Sequence, residues 1–140
     1  MQTVYVAAPS RRWAEAAKVM DFLEARGVKV ALRWDRTAKE AYVNRHRPDP
    51  DLLREACLSG LRQAQGIVVV YNPKWTSVGM WAEVGFALAS NLPMLVFHDV
   101  PASTPTVVPV DHCWLGGKHA IHTDRRTGMN GIYSWARKLN

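Results

Sequence analysis

The sequence predicts a single α/β domain built on a parallel five-stranded sheet with helices on both faces. Apolar segments rich in β-branched residues alternate along the chain with segments of helical periodicity, and most connections between them are short. This alternation is typical of parallel sheets, whose successive strands are joined by crossover helices. One segment, residues 66–71, is apolar throughout, as a strand buried on both faces should be. For five strands we expect the flavodoxin-like, or Rossmann-like, order 2-1-3-4-5.

The strands are assigned from short apolar runs that are bounded by turn residues. They are expected at residues 3–8, 28–34, 66–71, 94–98 and 119–123. Two further segments lack a clear period. Residues 37–49 are polar and rich in arginine, so we expect a long loop there with at most a helical turn. Residues 99–117 contain several prolines, and we expect them to be irregular.

The helices are assigned from apolar residues that recur three and four positions apart. They are expected at residues 12–25, 51–64 and 131–139, with a further helix over the segment that contains Glu83. Ser10 is placed to cap the first of these helices, and Gly27 is placed to end it.

Length and composition indicate an ordinary globular protein. The chain has 140 residues, which fits one domain over residues 1–140 with a single core, and its 48% hydrophobic residues exclude a disordered protein. No apolar run approaches the roughly 20 residues that span a bilayer, and the N-terminal segment lacks the features of a signal peptide. Two cysteines are too few for a disulfide framework. We therefore expect a cytoplasmic protein with no membrane partner.

The positive charge of the chain favours an anionic ligand. The formal net charge is +6, which attracts phosphate groups on a nucleotide or on nucleic acid. The basic residues form short pairs and no long run, and no nucleic-acid-binding motif accompanies them, so we expect no nucleic-acid partner. Arg11 and Arg12 follow Ser10 at the first strand-to-helix turn, where a helix N-terminus and a guanidinium can bind one phosphate. A plain N-cap and solvated arginines are the equally open alternative.

Glu83 is the most informative single residue, because it is the only charged side chain between Lys74 and His98. At helical spacing its neighbours are all uncharged: Gly79, Met80, Phe86 and Ala87. A carboxylate on so apolar a helix is costly to bury, and burial raises its pKa in the way that acids and nucleophiles are tuned. We therefore favour a functional role for Glu83 over a solvent-facing position.

Ligands of parallel sheets bind beyond the carboxyl ends of the strands. The residues at these ends are therefore candidates for a binding site: Ala8, Ser10, Trp34, Asp35 and Asn72. Histidines also occur near the later strand ends, namely His98, His112, His119 and His122, with Cys113 beside them. Their spacing matches no compact zinc pattern, so we expect neither a metal site nor a cofactor.

Two segments resemble one enzyme family. The strand Val4-Tyr5-Val6-Ala7-Ala8-Pro9 is similar to the first strand of the nucleoside 2-deoxyribosyltransferase-like proteins, a family that includes nucleoside monophosphate N-glycosidases. The segment Ser77-Val78-Gly79, followed by Glu83-Val84-Gly85-Phe86-Ala87-Leu88, resembles the helix that carries the nucleophile in that family. The resemblance extends over residues 3–97.

The resemblance implies cleavage or transfer at the N-glycosidic bond of a nucleoside or nucleotide. Glu83 would attack C1′ of the sugar, and Tyr5 would hold its carboxylate. Such a reaction passes through an oxocarbenium-like centre that a carboxylate stabilises, as in retaining glycosidases. From the residues alone, a strand tyrosine whose ring packs in the core is the favoured interpretation of Tyr5. The resemblance also implies a homodimer or a higher homo-oligomer.

Three positions within the resemblance distinguish this chain. Cys57 stands where the family usually has an aspartate near the sugar and base. Trp81 stands where the better-known enzymes have glycine, and it would either contact a base or belong to the core. Ser77, with Gly79 after it, stands where base-swapping enzymes tend to have an acidic residue, whereas in the nucleotide hydrolases a serine helps to hold the 5′-phosphate. Ser77 therefore favours nucleoside 5′-monophosphates.

Two classes of function remain open at this stage. The first is an enzyme that acts on an N-glycosidic bond, with the N-glycoside of NAD as a further substrate option. The second is a non-catalytic nucleotide-binding or sensing module on the same scaffold, which the cysteine at position 57 favours. The sequence indicates neither the base nor the sugar, and it leaves hydrolysis and base transfer equally open.

Overall fold

The structure is a computed structural model that describes residues 1–101 and 114–140. The strands are β1 (Thr3–Ala7), β2 (Lys29–Val30), β3 (Gly66–Tyr71), β4 (Met94–His98) and β5 (Ala120–Asp124). The helices are α1 (Trp13–Glu24), α2 (Trp34–Val43), α3 (Pro50–Gln63), α4 (Val78–Ala89) and α5 (Asn130–Ala136), and a 3₁₀ turn (Ser10–Arg12) precedes α1. All neighbouring strands pair in parallel, in the order β2-β1-β3-β4-β5. The predicted single-domain α/β fold and its strand order are confirmed.

The core is centred on the three middle strands. Every residue of β3 and β4 is buried, as is β1 after its first residue, which explains why these strands lack polar alternation. Helix α5 packs against this sheet where β3 begins. A Cβ atom on Gly66 would lie 2.7 Å from Cη2 of Trp135, so only glycine allows the tryptophan to approach the strand so closely.

The region between β2 and α3 differs from the prediction. Strand β2 has two residues, and the segment expected to be a long loop is largely helix α2. Trp34 and Ala38 are buried four positions apart, which gives α2 one short apolar face. The Trp34 indole N–H also donates to the Val6 carbonyl oxygen at 2.6 Å, which fixes α2 against β1. The arginine content of the segment concealed this short apolar face.

The start of α1 also differs from the prediction, because Ser10 does not cap it. The amide of Arg12 donates to the carbonyl of Pro9 at 2.9 Å, closing a 3₁₀ turn, and α1 begins only at Trp13 without a side-chain cap. The Ser10 hydroxyl lies 3.1 Å from the Tyr42 hydroxyl. Most of the segment predicted to be irregular, together with His112 and Cys113, lies outside the described residues. Within the described part of the chain, no helix is long and apolar enough to cross a membrane.

Candidate active site

A cavity of about 1010 Å³ opens between α2, α3 and α4 beside strand β1. Its walls are mostly apolar, and Tyr5, Cys57 and Glu83 are among the residues that line it. Helix α3 lines the cavity with one stripe at helical spacing: Arg54, Cys57, Leu58 and Leu61. Glu83 is the only carboxylate among the described residues that line this space.

The Tyr5 hydroxyl donates a hydrogen bond to Oε2 of Glu83. Tyr5 is completely buried on β1, and Glu83 lies in the second turn of α4, so the contact joins the sheet to the helix. Gly60 on α3 makes room for the tyrosine ring, because a Cβ atom there would lie 3.2 Å from Cε2 of Tyr5. The structure thus brings together the two residues that were predicted to form the catalytic pair.

Burial sets the protonation of this pair. It raises the pKa of Glu83 to about 7, against a smaller lowering by the Tyr5 hydrogen bond. Burial also raises the pKa of Tyr5, and the charge of Glu83 raises it further. Tyr5 therefore remains a hydrogen-bond donor, while Glu83 changes charge near neutral pH.

Cys57 lies on the α3 side of the same pair. Its thiol interacts with the Tyr5 hydroxyl, and burial raises the pKa of the thiol even though that hydrogen bond lowers it. The thiol is therefore a poor acid near neutral pH. Cys57 stands where the family resemblance implies an aspartate. Among the described residues of the wall, no carboxylate other than Glu83 is present.

The N-terminus of α4 forms a second part of the cavity wall. Ser77 caps this helix by accepting a hydrogen bond from the amide of Met80 at 3.2 Å. Ser77 and Gly79 line the cavity together with Ala8 and Ser10 from the end of β1. A Cβ atom on Gly79 would meet nothing within 4 Å, so the helix end is open on that side. A helix N-terminus with accessible amides is suited to bind an anion.

Of four candidate residues from the strand ends and from α4, one lines the cavity and three do not. Trp34 lines the cavity, as predicted, with its indole bound to the sheet. Asp35 does not line it, because this buried carboxylate accepts two hydrogen bonds from Arg33, at 2.9 and 2.8 Å. Asn72 is also outside the wall, and its side-chain amide donates to the Asp99 carbonyl at 2.9 Å. Trp81 packs its ring edge-on against Tyr71, with ring centroids 6.4 Å apart, and does not reach the cavity.

The predicted arginines at the first turn are not part of the cavity wall. Arg12 forms an ion pair with the buried carboxylate of Asp99 at 2.8 Å. The guanidinium groups of Arg11 and Arg12 lie 5.7 and 5.8 Å from the ring centroid of Trp75. These two arginines belong to the 3₁₀ turn that precedes α1, where the sequence predicted the start of the helix.

Sequence reasoning missed the cations that do line the cavity, Arg47 and Arg54. Arg47 belongs to the connection between α2 and α3, and Arg54 lies one helical turn before Cys57. The apolar stripe of α3 was visible in the sequence, and Arg54 shares that stripe. Arg47 had no such local signal, because its position depends on how α2 folds back over the sheet.

The histidines form no metal site among the described residues, which contain no suitable cluster of three ligands. His98 is buried, and its Nε2 lies 2.9 Å from Nδ1 of His122. Neither histidine lines the cavity that contains Glu83.

Comparisons with known proteins point in the same direction as the geometry. The family model described as nucleoside 2-deoxyribosyltransferase matches residues 4–130. Among solved structures, the CMP N-glycosidase BcmB of Clostridium botulinum is similar, with a TM-score of 0.59 and 13% identity over 94% of this chain and 98% of that one. Comparison with curated protein sequences gave no match. The structural similarity, at this identity, concerns the fold.

Proposed function

We propose that this chain, which belongs to the nucleoside 2-deoxyribosyltransferase family, cleaves or transfers at the N-glycosidic bond of a nucleoside 5′-monophosphate. The single observation that carries the proposal is the hydrogen bond from Tyr5 to Glu83 at the wall of a nucleotide-sized cavity. It joins the only carboxylate of the described wall to a donor that orients it.

In the proposed reaction, the free carboxylate oxygen of Glu83 attacks C1′ while the bond from C1′ to the base breaks. The electron pair of that bond leaves with the base, and a glycosyl ester forms on Glu83. Water or a second base then displaces the sugar and restores the carboxylate. Tyr5 keeps the other carboxylate oxygen in place throughout, because its raised pKa keeps the hydroxyl protonated.

The 5′-phosphate is assigned to the N-terminus of α4. Ser77 is neutral, and Ser77 and Gly79 at this helix end line the cavity together with Ser10. The preference for a monophosphate is also consistent with the activity named for the similar Clostridium botulinum protein, a CMP N-glycosidase. Arg11 and Arg12 do not line the cavity, so they are not part of the proposed phosphate site.

Base release from a panel of nucleosides and their 5′-monophosphates, followed by chromatography, tests the proposal. The wild-type protein should release at least one base, with the monophosphate preferred by about 10- to 100-fold if one charge-assisted contact distinguishes the two. Intact-mass measurement should detect the glycosyl ester on wild-type protein and not on Glu83→Gln. Turnover by Glu83→Gln at the wild-type rate would contradict the nucleophile assignment.

A nucleotide-binding or sensing module is the second candidate, and Cys57 is the observation that favours it. A wall whose described residues include no second carboxylate is compatible with binding in the absence of chemistry. This candidate predicts that calorimetry detects nucleotide binding while no base is released over hours. The predicted homodimer and the cytoplasmic location remain predictions, and light scattering on the purified protein tests the first of them.

A further inference from the structure

We propose that Arg54, assisted by Arg47, stabilises the negative charge that develops on the departing base. This inference rests on the proposed function, and it adds a catalytic role for two residues that sequence reasoning passed over. It concerns the end of the cavity formed by α3 and by the connection between α2 and α3.

The elements that carry each group, together with the proposed phosphate site, assign these cations to the base side of the reacting carbon. The proposed phosphate site, at Ser77 and Gly79, belongs to α4 and lies near the end of β1. If the sugar C1′ lies against Glu83, the base extends away from that phosphate site, towards the opposite wall. That wall is α3, where Arg54 precedes Cys57 by one helical turn.

Both guanidinium groups are available for a ligand. Arg54 forms an ion pair with Asp51 at 2.7 Å, but both side chains are largely exposed, and such pairs contribute little. Arg47 is exposed as well, and it lines the cavity directly before Pro48 in the connection between α2 and α3. The two arginines are the cations among the described residues of a mostly apolar wall, so a developing negative charge in the cavity would meet these two groups.

The departing base carries negative charge, which a nearby cation would stabilise. When the bond from C1′ breaks, its electron pair passes to the base nitrogen and spreads over the ring and its oxygen atoms. A carboxylic acid would protonate the base at this point, but Glu83 is engaged at C1′ and the described wall has no other carboxylate. An arginine cannot donate its proton at neutral pH, but it remains charged and donates hydrogen bonds to an anion. The base then leaves as an anion and takes its proton from water.

The experiment measures how the rate depends on the acidity of the leaving base. For the base that the wild-type protein releases, the parent nucleotide is compared with an analogue that leaves more readily, a 5-fluoro pyrimidine or an 8-aza purine nucleotide. The proteins are wild type, Arg54→Ala, Arg47→Ala and, as a matched control on the same helix, Arg62→Ala, whose side chain does not line the cavity. Thermal melting verifies that each variant is folded.

Arg54→Ala should lower kcat/KM for the parent nucleotide by roughly 100-fold, as the loss of one donor to a developing anion does elsewhere. The analogue should lose about tenfold or less, because its base tolerates the charge without assistance. Arg47→Ala should show the same trend more weakly, and Arg62→Ala should show neither effect.

Three results would overturn the inference. Equal losses for parent and analogue would show that Arg54 does not act on the leaving group. A loss confined to nucleotides, and absent with the matching nucleoside, would show that Arg54 binds the phosphate. Turnover unaffected by either substitution would remove both arginines from the reaction. If the wild-type protein releases no base at all, the proposed function itself fails, and that outcome is distinct from the other three.

Discussion

Two of the hydrogen-bonded pairs that the described residues form at this sheet differ in what surrounds them. Tyr5 and Glu83 meet beside β1, whereas His98 and His122 meet between β4 and β5. Burial perturbs both pairs in favour of the neutral form, since it raises the pKa of Glu83 and lowers the pKa of both histidines. The Glu83 pair lines the cavity and the histidine pair does not. A perturbed pKa therefore marks burial, and the adjoining cavity is what makes one pair a candidate for chemistry.

The largest expected difference between the two pairs is in turnover. Glu83→Gln retains an acceptor for the Tyr5 hydroxyl but removes the nucleophile, so base release should fall by at least roughly 10³-fold. His122→Asn changes the other pair and should leave base release within about twofold of wild type. Steady-state rates at pH 8, with melting curves to verify folding, test both. A loss of base release of similar size in His122→Asn would show that the histidine pair also matters for turnover.

The next effect is the pH dependence of turnover. Only the ionised carboxylate attacks C1′, so activity should fall about tenfold for each pH unit below the Glu83 pKa of about 7 and level off above it. Tyr5→Phe removes the hydrogen bond that lowers this pKa, so its pH profile should move to higher pH.

The direction of that shift distinguishes a specific contact from general damage. A substitution that merely loosened the fold would lower the rate at every pH and leave the midpoint in place. A midpoint that moved to lower pH in Tyr5→Phe would contradict the hydrogen bond that orients Glu83.

Local patterns were sufficient to predict strands and to single out candidate residues wherever one element carries the information. The strand 66–71 and the strand 94–98 match β3 and β4, because buried parallel strands have uninterrupted apolar sequences. Glu83 was recognisable because its helical neighbours are uncharged, and the family resemblance supplied its pairing with Tyr5.

The direction in which a strand-end side chain points was not predictable from position alone. Asn72 and Asp35 are at strand or helix ends, as expected, but each is satisfied locally, by the Asp99 backbone and by Arg33. Trp81 does not line the cavity, although Met80 and Ala82 on either side of it do, and its ring packs against Tyr71. Arg47 required the tertiary path of α2, which its polar sequence concealed.

A smaller effect is expected from the glycine that accommodates Tyr5. A Cβ atom on Gly60 would lie 3.2 Å from both Cε2 of Tyr5 and Cβ of Leu32, so Gly60→Ala should cost about 1–3 kcal/mol of stability and displace the tyrosine ring. Gly85→Ala is the matched control, because its Cβ atom would meet nothing within 4 Å. Denaturant unfolding should show a loss of stability in the first variant and a gain of up to about 1 kcal/mol in the second, because alanine favours a helix more than glycine does. The pH profile of turnover should change in the first variant only.

The smallest effect is on stability as a function of pH, and here the two pairs act in opposite directions. The pKa of Glu83 is about 7 in the folded protein and about 4.5 when unfolded, so the folded state holds its proton longer and loses stability as pH rises from 4.5 through 7. Glu83→Gln should therefore melt a few degrees above wild type at pH 8 and close to it at pH 4.5.

The two histidines have pKa values below the unfolded value of about 6.5. The unfolded chain therefore binds protons on them more readily, and stability falls as pH falls through this range. His122→Asn should reduce that loss at pH 5 and change little at pH 8. Relative to wild type, the melting temperature of Glu83→Gln should rise as pH increases across this range, and that of His122→Asn should fall. A pH dependence in the same direction for both variants would contradict the opposite pKa shifts of the two pairs.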